Sequence, residues 1–277
     1  MARQEFVFVE TGDGLLLEGG VFAPEGGIGK RIGVVWVHGF TGRFYSRTYV
    51  RMAEVLTARG YTLFSGNNRG HDMGTSLSLV GQTRRLGGGW WELLDESHHD
   101  IDAWLGFAVA QGFERLVLVG HSLGAMKVAG YLGNRADPRV VGLLLASGRV
   151  RPVPIVPEIM ALAQRMVTEG KGEQLLPWGS LHVNTMSAQS YLSRTRFNVD
   201  FCGVQTSDAP ISRVTCPIFA CCGTVNETLT PDDLEIVRRA ATAAPRVDTR
   251  VFNGASHGYE NSEAEIGAAI ADWIDTL

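Results

Sequence analysis

The most constraining stretch of the chain is "LVLVGHSLGAMKV", residues 116–128. An apolar run reads as a buried strand and the spacing after it reads as a helix, so a very tight turn at Ser122 must join them. Gly120 and Gly124 frame that turn in the pattern G-x-S-x-G. Small residues are needed there because larger ones would clash in a turn this sharp. The strained backbone aims the serine hydroxyl out of the sheet, and the helix that follows sets its positive end beneath it. A chain with this element has to build an open sheet with helices packed on it.

The remaining pattern agrees. "EFVFVE" and "LLLEGGVFAP" flank the turn "TGDG" and predict a β-hairpin. "RIGVVWVHGF", "YTLFSGN", "RLVLVG", "VVGLLLASG", "CPIFACCG" and "RVDTRVFNG" read as strands. Between them run helical patterns such as "SRTYVRMAEVLTARG", with Tyr49, Met52, Ala53 and Leu56 on one face, and "DDLEIVRRAATAA". Strands alternating with helices at short spacing predict a mostly parallel sheet covered on both faces. The alternation breaks at 149–213, where Pro152, Pro154, Pro157 and Pro177 punctuate short helical pieces. This segment reads as an inserted helical cap, with 1–148 and 214–277 forming the core. A second excursion, Arg69 to Asp95, carries three consecutive glycines beside Trp90 and Trp91 and reads as a loop. Both indoles pack on the rim of the sheet in the plainer reading; in the functional one, Trp91 lines a substrate pocket.

Composition excludes several classes. With 277 residues, 45% of them hydrophobic, the chain can bury a large core. A net charge of −4 without a basic run argues against a nucleic-acid partner. No apolar run reaches the roughly 18 residues of a membrane span. "MARQEFVFVETGDG" has no apolar signal region. Cys202, Cys216, Cys221 and Cys222 match no common zinc spacing and read as small buried hydrophobes in a reducing cytosol. A cytoplasmic protein without metal or organic cofactor is expected, and a homodimer is compatible with the sequence.

A serine hydroxyl is a weak nucleophile and needs a base. His257, in "VFNGASHGYE" after the last strand, would stand at the same sheet edge as Ser122. The other histidines fit less well. His38 and His71 belong to turns, His98 and His99 are expected to diverge on a helix, His121 to point away from Ser122, and His182 to lie in the cap. "VHGFTG" follows an early strand and can aim backbone N–H groups at a developing oxyanion; Phe40 and Leu123 are the expected donors.

Taken in order, "HGF", "NNRGHD", "GHSLG", "GTVNETLTP" and "GASHGY" resemble a serine-type alpha/beta hydrolase from Val34 to the C-terminus. Esterase-like and lipase-like members with moderate caps are the nearest in pattern. The resemblance implies the α/β-hydrolase fold, an eight-stranded, mostly parallel sheet flanked by helices, with a lid after the sixth strand. It also implies an acidic residue after the seventh strand. Counting forward from Gly223 puts that acid at Asn226, whereas counting back from Pro231 puts it at Glu227. Glu227 is favoured, since an asparagine could orient a histidine but not balance its charge. Asn226, with altered catalysis, is the alternative. A serine at the elbow separates the chain from dehalogenases and epoxide hydrolases, which use Asp, and from dienelactone hydrolases, which use Cys.

The expected function is cleavage of a carboxylic ester, thioester or lactone through an acyl-enzyme on Ser122. A C–C bond hydrolase or acyltransferase on the same residues, and a ligand-binding protein on a degenerate hydrolase fold, are the alternatives. The expected partner is a small molecule with an apolar or aromatic acyl group. Candidate substrate contacts are His38, Trp91, Arg149 and Trp178. For Arg149 the choice lies between an anionic substrate group and a surface ion pair.

Overall fold

The computed structural model describes residues 3–27, 29–81, 84–177, 185–197 and 200–277. Trp178 and His182 lie outside the described residues. An antiparallel hairpin, β1 (Arg3–Glu10) and β2 (Leu15–Ala23), is followed by β3 (Ile32–Val37), α1 (Arg47–Ala58) and β4 (Thr62–Gly66). Two short strands, β5 (Thr75–Leu79) and β6 (Arg85–Gly87), precede α2 (Ser97–Ala110), β7 (Arg115–His121), α3 (Leu123–Asn134) and β8 (Val140–Ala146). α4 (Pro157–Thr168) and α5 (Ala188–Phe197) stand between β8 and β9 (Ile218–Cys222). α6 (Pro231–Ala240), β10 (Val247–Val251) and α7 (Glu263–Ile274) follow.

The sheet runs β10-β9-β8-β7-β3-β4-β2-β5-β6, with β1 also paired to β2. The six strands from β10 to β4 are parallel and the hairpin side is antiparallel. Eight of the ten strands are those the sequence pattern implies. The added pair, β5 and β6, comes from the Arg69–Asp95 excursion, read from the sequence as a loop. β5 joins β2 only through Leu15 and Leu16, which explains why no long apolar run announced it.

Alternation along the strands divides the core. Val35 and Val37 face one layer, where Trp104 of α2, Met126 of α3 and Leu234 of α6 pack. Val34 and Trp36 face the other, against Met52 and Leu56 of α1 and Ile266 and Ile270 of α7. Adjacent Cys221 and Cys222 fall in opposite layers, as a pleated strand requires, and both are free thiols. Between β8 and β9, Ile159, Ala163, Leu176, Met186, Ala188 and Tyr191 form a small apolar cluster of their own. Phe197 and Phe201 of the same segment pack on the main core instead and hold the segment to it. No helix among the described residues is long and apolar enough to cross a membrane.

Candidate functional site

The carboxyl ends of β7, β8 and β9 and the turn after β10 converge on one point. Ser122 sits between β7 and α3 with φ +55° and ψ −121°, a conformation that side-chain-bearing residues rarely adopt. The flanking glycines make it reachable. A Cβ on Gly120 would lie 2.4 Å from the Gly124 carbonyl oxygen, and one on Gly124 would lie 2.2 Å from that of Val37.

Ser122 Oγ lies 2.9 Å from His257 Nε2, and His257 Nδ1 lies 3.1 Å from Glu227 Oε2. The His257 side chain is 30% exposed and that of Glu227 only 6%. Glu227 is held from several sides. Ser147 Oγ–H donates to Oε1 at 2.5 Å, the Gly223 N–H reaches the same oxygen at 3.2 Å, and the Thr228 N–H reaches Oε2 at 3.2 Å. Burial alone would raise the Glu227 carboxyl, but the bonds from His257 and Ser147 outweigh it and hold the group below its ordinary value. Asn226, the other counted position, has φ +52° and is exposed. Asp233 does not reach the site. It is the third residue of α6 and completes a capping box with Thr230.

The loop 38–42 crosses directly over the serine, since a Cβ on Gly39 would come within 3.3 Å of Ser122 Oγ. Neither the Phe40 nor the Leu123 N–H has an acceptor among the described residues. Leu123 is the first residue of its helix, where the amide has no intrahelical partner.

Two histidines serve as braces. The Asn68 N–H donates to His38 Nε2 at 2.9 Å, leaving Nδ1–H to donate to the Gly39 carbonyl at 2.8 Å. Both nitrogens of His38 are therefore occupied inside the protein, not presented to a substrate. Burial first, and the Lys127 charge second, push its pKa down to about 3. His121 Nε2–H donates to the His257 carbonyl at 2.7 Å, and its Nδ1 accepts from the Tyr49 hydroxyl at 3.0 Å. Burial, then the neighbouring His257, pushes His121 down to about 4, so it is a neutral brace for the His257 backbone. His98 and His99 do not diverge as expected. Their rings lie side by side on α2, with centroids 4.0 Å apart and planes tilted by 36°.

The remaining candidates separate. Trp91 Nε1–H donates to the Glu173 carbonyl at 2.8 Å, so this indole ties the segment between β8 and β9 to the rest of the chain. Arg149 is half-buried and forms no ion pair among the described residues; the pair in that region belongs to Arg151 and Asp233. A cavity of about 280 Å³ beside α3 and α5, lined by Met126, Gly130, Phe197 and Phe201 among others, includes none of Ser122, His257 or Glu227. Among the described residues no cluster of three or more His, Cys, Asp or Glu side chains is placed to hold a metal ion.

Sequence reasoning missed Ser147 and Tyr259. Ser147 is fully buried, and because its proton goes to the carboxylate, the Tyr259 O–H 2.7 Å away donates to the serine oxygen. The end of β8, "ASGRV", holds no carboxylate of its own and instead supplies a donor to a carboxylate from elsewhere. The only local signal was a polar residue closing an apolar strand.

A family model described as "Alpha/beta hydrolase family" matches residues 34–269. Est1E from Butyrivibrio proteoclasticus, with ferulic acid bound, superposes with a TM-score of 0.68 at 16% identity, over 98% of this chain and 98% of that one. The esterase Pf2001 of Pyrococcus furiosus superposes at 0.65 with 14% identity, over 100% of this chain and 93% of that one. The alpha/beta hydrolase GrgF from Penicillium sp. sh18 superposes at 0.72 with 13% identity, over 99% and 97%. No curated protein matches the chain by sequence.

Proposed function

The chain belongs to the alpha/beta hydrolase family, and on that premise we propose that it is a serine hydrolase cleaving carboxylic esters through an acyl-enzyme on Ser122. The observation that carries this reading is the unbroken run of contacts from Ser122 Oγ through His257 to the buried Glu227 carboxylate. In the reaction Ser122 Oγ attacks the ester carbonyl while His257 Nε2 takes its proton. The imidazolium so formed keeps Nδ1–H on Glu227, whose negative charge offsets it. The carbonyl oxygen gains charge beside the Phe40 and Leu123 amides, which have no other acceptor among the described residues to give up. Collapse expels the alcohol, protonated by His257. Water then attacks the acyl-serine with His257 again as base, and the acid leaves.

The esterase Pf2001 and Est1E with its bound ferulic acid fit a small ester with an aromatic or apolar acyl group as substrate. The insertion between β8 and β9 would act as the cap that selects it. The intact relay weighs against a ligand-binding protein on a degenerate fold.

The test is intact mass after brief exposure to a fluorophosphonate at neutral pH. One adduct on the wild type, absent from Ser122→Ala, is expected. A folded wild type that takes up no adduct would overturn the reading.

A further inference from the structure

Arg194 lies on α5, and the rotation of that helix is fixed by buried serines. Ser187, Ser190 and Ser193 are all fully buried. The Ser187 N–H donates to the Trp90 carbonyl at 2.7 Å, and Ser190 Oγ–H donates to that of Glu92 at 2.7 Å. Ser193 Oγ accepts the Leu94 N–H at 2.8 Å and gives its own proton to the Asp95 carboxylate. Residues four apart share a helix face, so Ser190 and Arg194 point the same way. Arg194 is thereby turned inward, its guanidinium 4.5 Å from the centre of the Phe40 ring. Phe40 is also the residue whose N–H the proposed reaction uses, and its neighbour Gly39 lies against Ser122.

Arg194 as a whole is half-buried, but two nitrogens of its guanidinium, Nε and Nη2, are buried with no acceptor among the described residues. The nearby Glu92 carboxylate gives Oε1 to a buried ion pair with Lys127, both side chains at 1% exposure or less, and its Oε2, like the two Arg194 nitrogens, has no partner among the described residues. Burial penalises the Arg194 charge and the field of Glu92 relieves it only in part. A stacked phenyl ring offsets little of the loss of water around a cation. Buried donors are almost always bonded, and an acceptor carried by a bound molecule would satisfy one left open. A guanidinium with two free N–H directions presents the planar fork that fits a carboxylate.

We propose that Arg194 is a specificity determinant that receives a carboxylate of the substrate, so that the preferred ester carries one anionic group on an otherwise apolar body. This rests on the serine-hydrolase reading above.

The test compares two pairs of esters. In the first the charge is on the acyl side: mononitrophenyl glutarate against nitrophenyl methylhexanoate. In the second it is on the alcohol side: carboxynitrophenyl butyrate against nitrophenyl butyrate. The wild type should favour the charged member of at least one pair by about tenfold or more in kcat/KM, and that ratio should collapse to about one in Arg194→Met. Arg194→Lys should recover part of it. The melting temperature of Arg194→Met should equal or exceed that of the wild type, because an unpaired buried charge is removed. A clear fall in melting temperature would mark Arg194 as a structural partner of Glu92 and overturn the inference. So would no preference in either pair, or a preference lost in Arg149→Met and kept in Arg194→Met. If the fluorophosphonate also fails to label the protein, the hydrolase reading has failed instead. Calorimetric binding of mononitrophenyl glutarate and carboxynitrophenyl butyrate to Ser122→Ala, with and without Arg194→Met, then decides the inference alone. At least one of the two should bind about tenfold more weakly in the double variant, and equal affinities for both would overturn it.

Discussion

The elbow at Ser122 and the turn at Glu227 are built on one plan and differ in where they put the strain. Each leads from a parallel strand into a helix, and each contains a residue at positive φ, +55° at Ser122 and +52° at Asn226. Each also needs a glycine for lack of space: a Cβ on Gly223 would lie 2.1 Å from the Ala255 carbonyl oxygen, much as Gly124 faces Val37. In the elbow the strained residue is the proposed nucleophile. In the other turn the strain falls one residue before the carboxylate, on an asparagine, which tolerates the left-handed region better than most side chains. Asn226 thus serves as the pivot, and its own side chain goes to solvent while Glu227 turns back to His257.

The largest effect that could break this comparison is on catalysis. Glu227→Gln keeps the shape of the side chain and removes its charge, so kcat should fall by roughly 10⁴-fold, as for loss of the acid in a serine triad. Asn226→Asp, one residue away, should leave kcat within about twofold if that side chain only faces water. Steady-state kinetics on a nitrophenyl ester read both. A large loss in Asn226→Asp with a small one in Glu227→Gln would reverse the assignment.

Next in size is the elbow's steric limit. Gly124→Ala sets a methyl carbon against the Val37 backbone, which cannot yield as a flexible side chain would, and should cost about 3 kcal/mol of stability in urea unfolding. Asn226→Gly, by contrast, relieves strain and should change stability by no more than about 1 kcal/mol in either direction. Equal losses at both sites would mean that the two turns are not limited by different forces.

The same contrast explains what could be read from the sequence. The elbow was legible because hard contacts dictate its residue types: only glycine fits at 120 and 124, and the pattern survives in one dimension. The strands and helices were legible from their periodicity, as at Tyr49, Met52, Ala53 and Leu56, all buried on α1. The acid turn was ambiguous because hydrogen bonds from distant segments hold it. Ser147 is eighty positions from Glu227 and no spacing rule connects them. His38 reads as a candidate contact because a histidine in a glycine turn looks reactive. Its two bonds to the backbone of Gly39 and Asn68 show it spent on holding the loop. Arg194 gave no signal in the sequence, since its inward direction depends on serines that bond to the chain a hundred residues earlier.

Ser147 offers a finer test of the acid turn. Removing its hydroxyl in Ser147→Ala leaves Glu227 and the Tyr259 hydroxyl each short of a partner, and should cost about 1–3 kcal/mol of stability. The Gly223 and Thr228 amides remain on the carboxylate, so activity should fall far less than in Glu227→Gln. A loss of activity equal to that of Glu227→Gln would mean that Ser147, not the turn itself, sets the position of the acid.

The smallest effect concerns pH and turns on a sign. The Glu227 carboxyl is held below its ordinary value because bonds from His257 and Ser147 outweigh its burial. A carboxylate that is more acidic when folded stabilises the fold above its unfolded pKa of about 4.3, and that contribution disappears as pH falls through the lower folded value. Relative to Glu227→Gln, the wild type should therefore hold its advantage in urea midpoint from neutral pH down to about pH 5 and lose it progressively below that. Were burial the stronger influence, the folded carboxyl would be the weaker acid, and acidification would raise the wild type relative to the glutamine variant. Urea midpoints of the two proteins at neutral and acidic pH distinguish the cases, because titrating groups that do not interact with Glu227 are common to both and cancel in the difference.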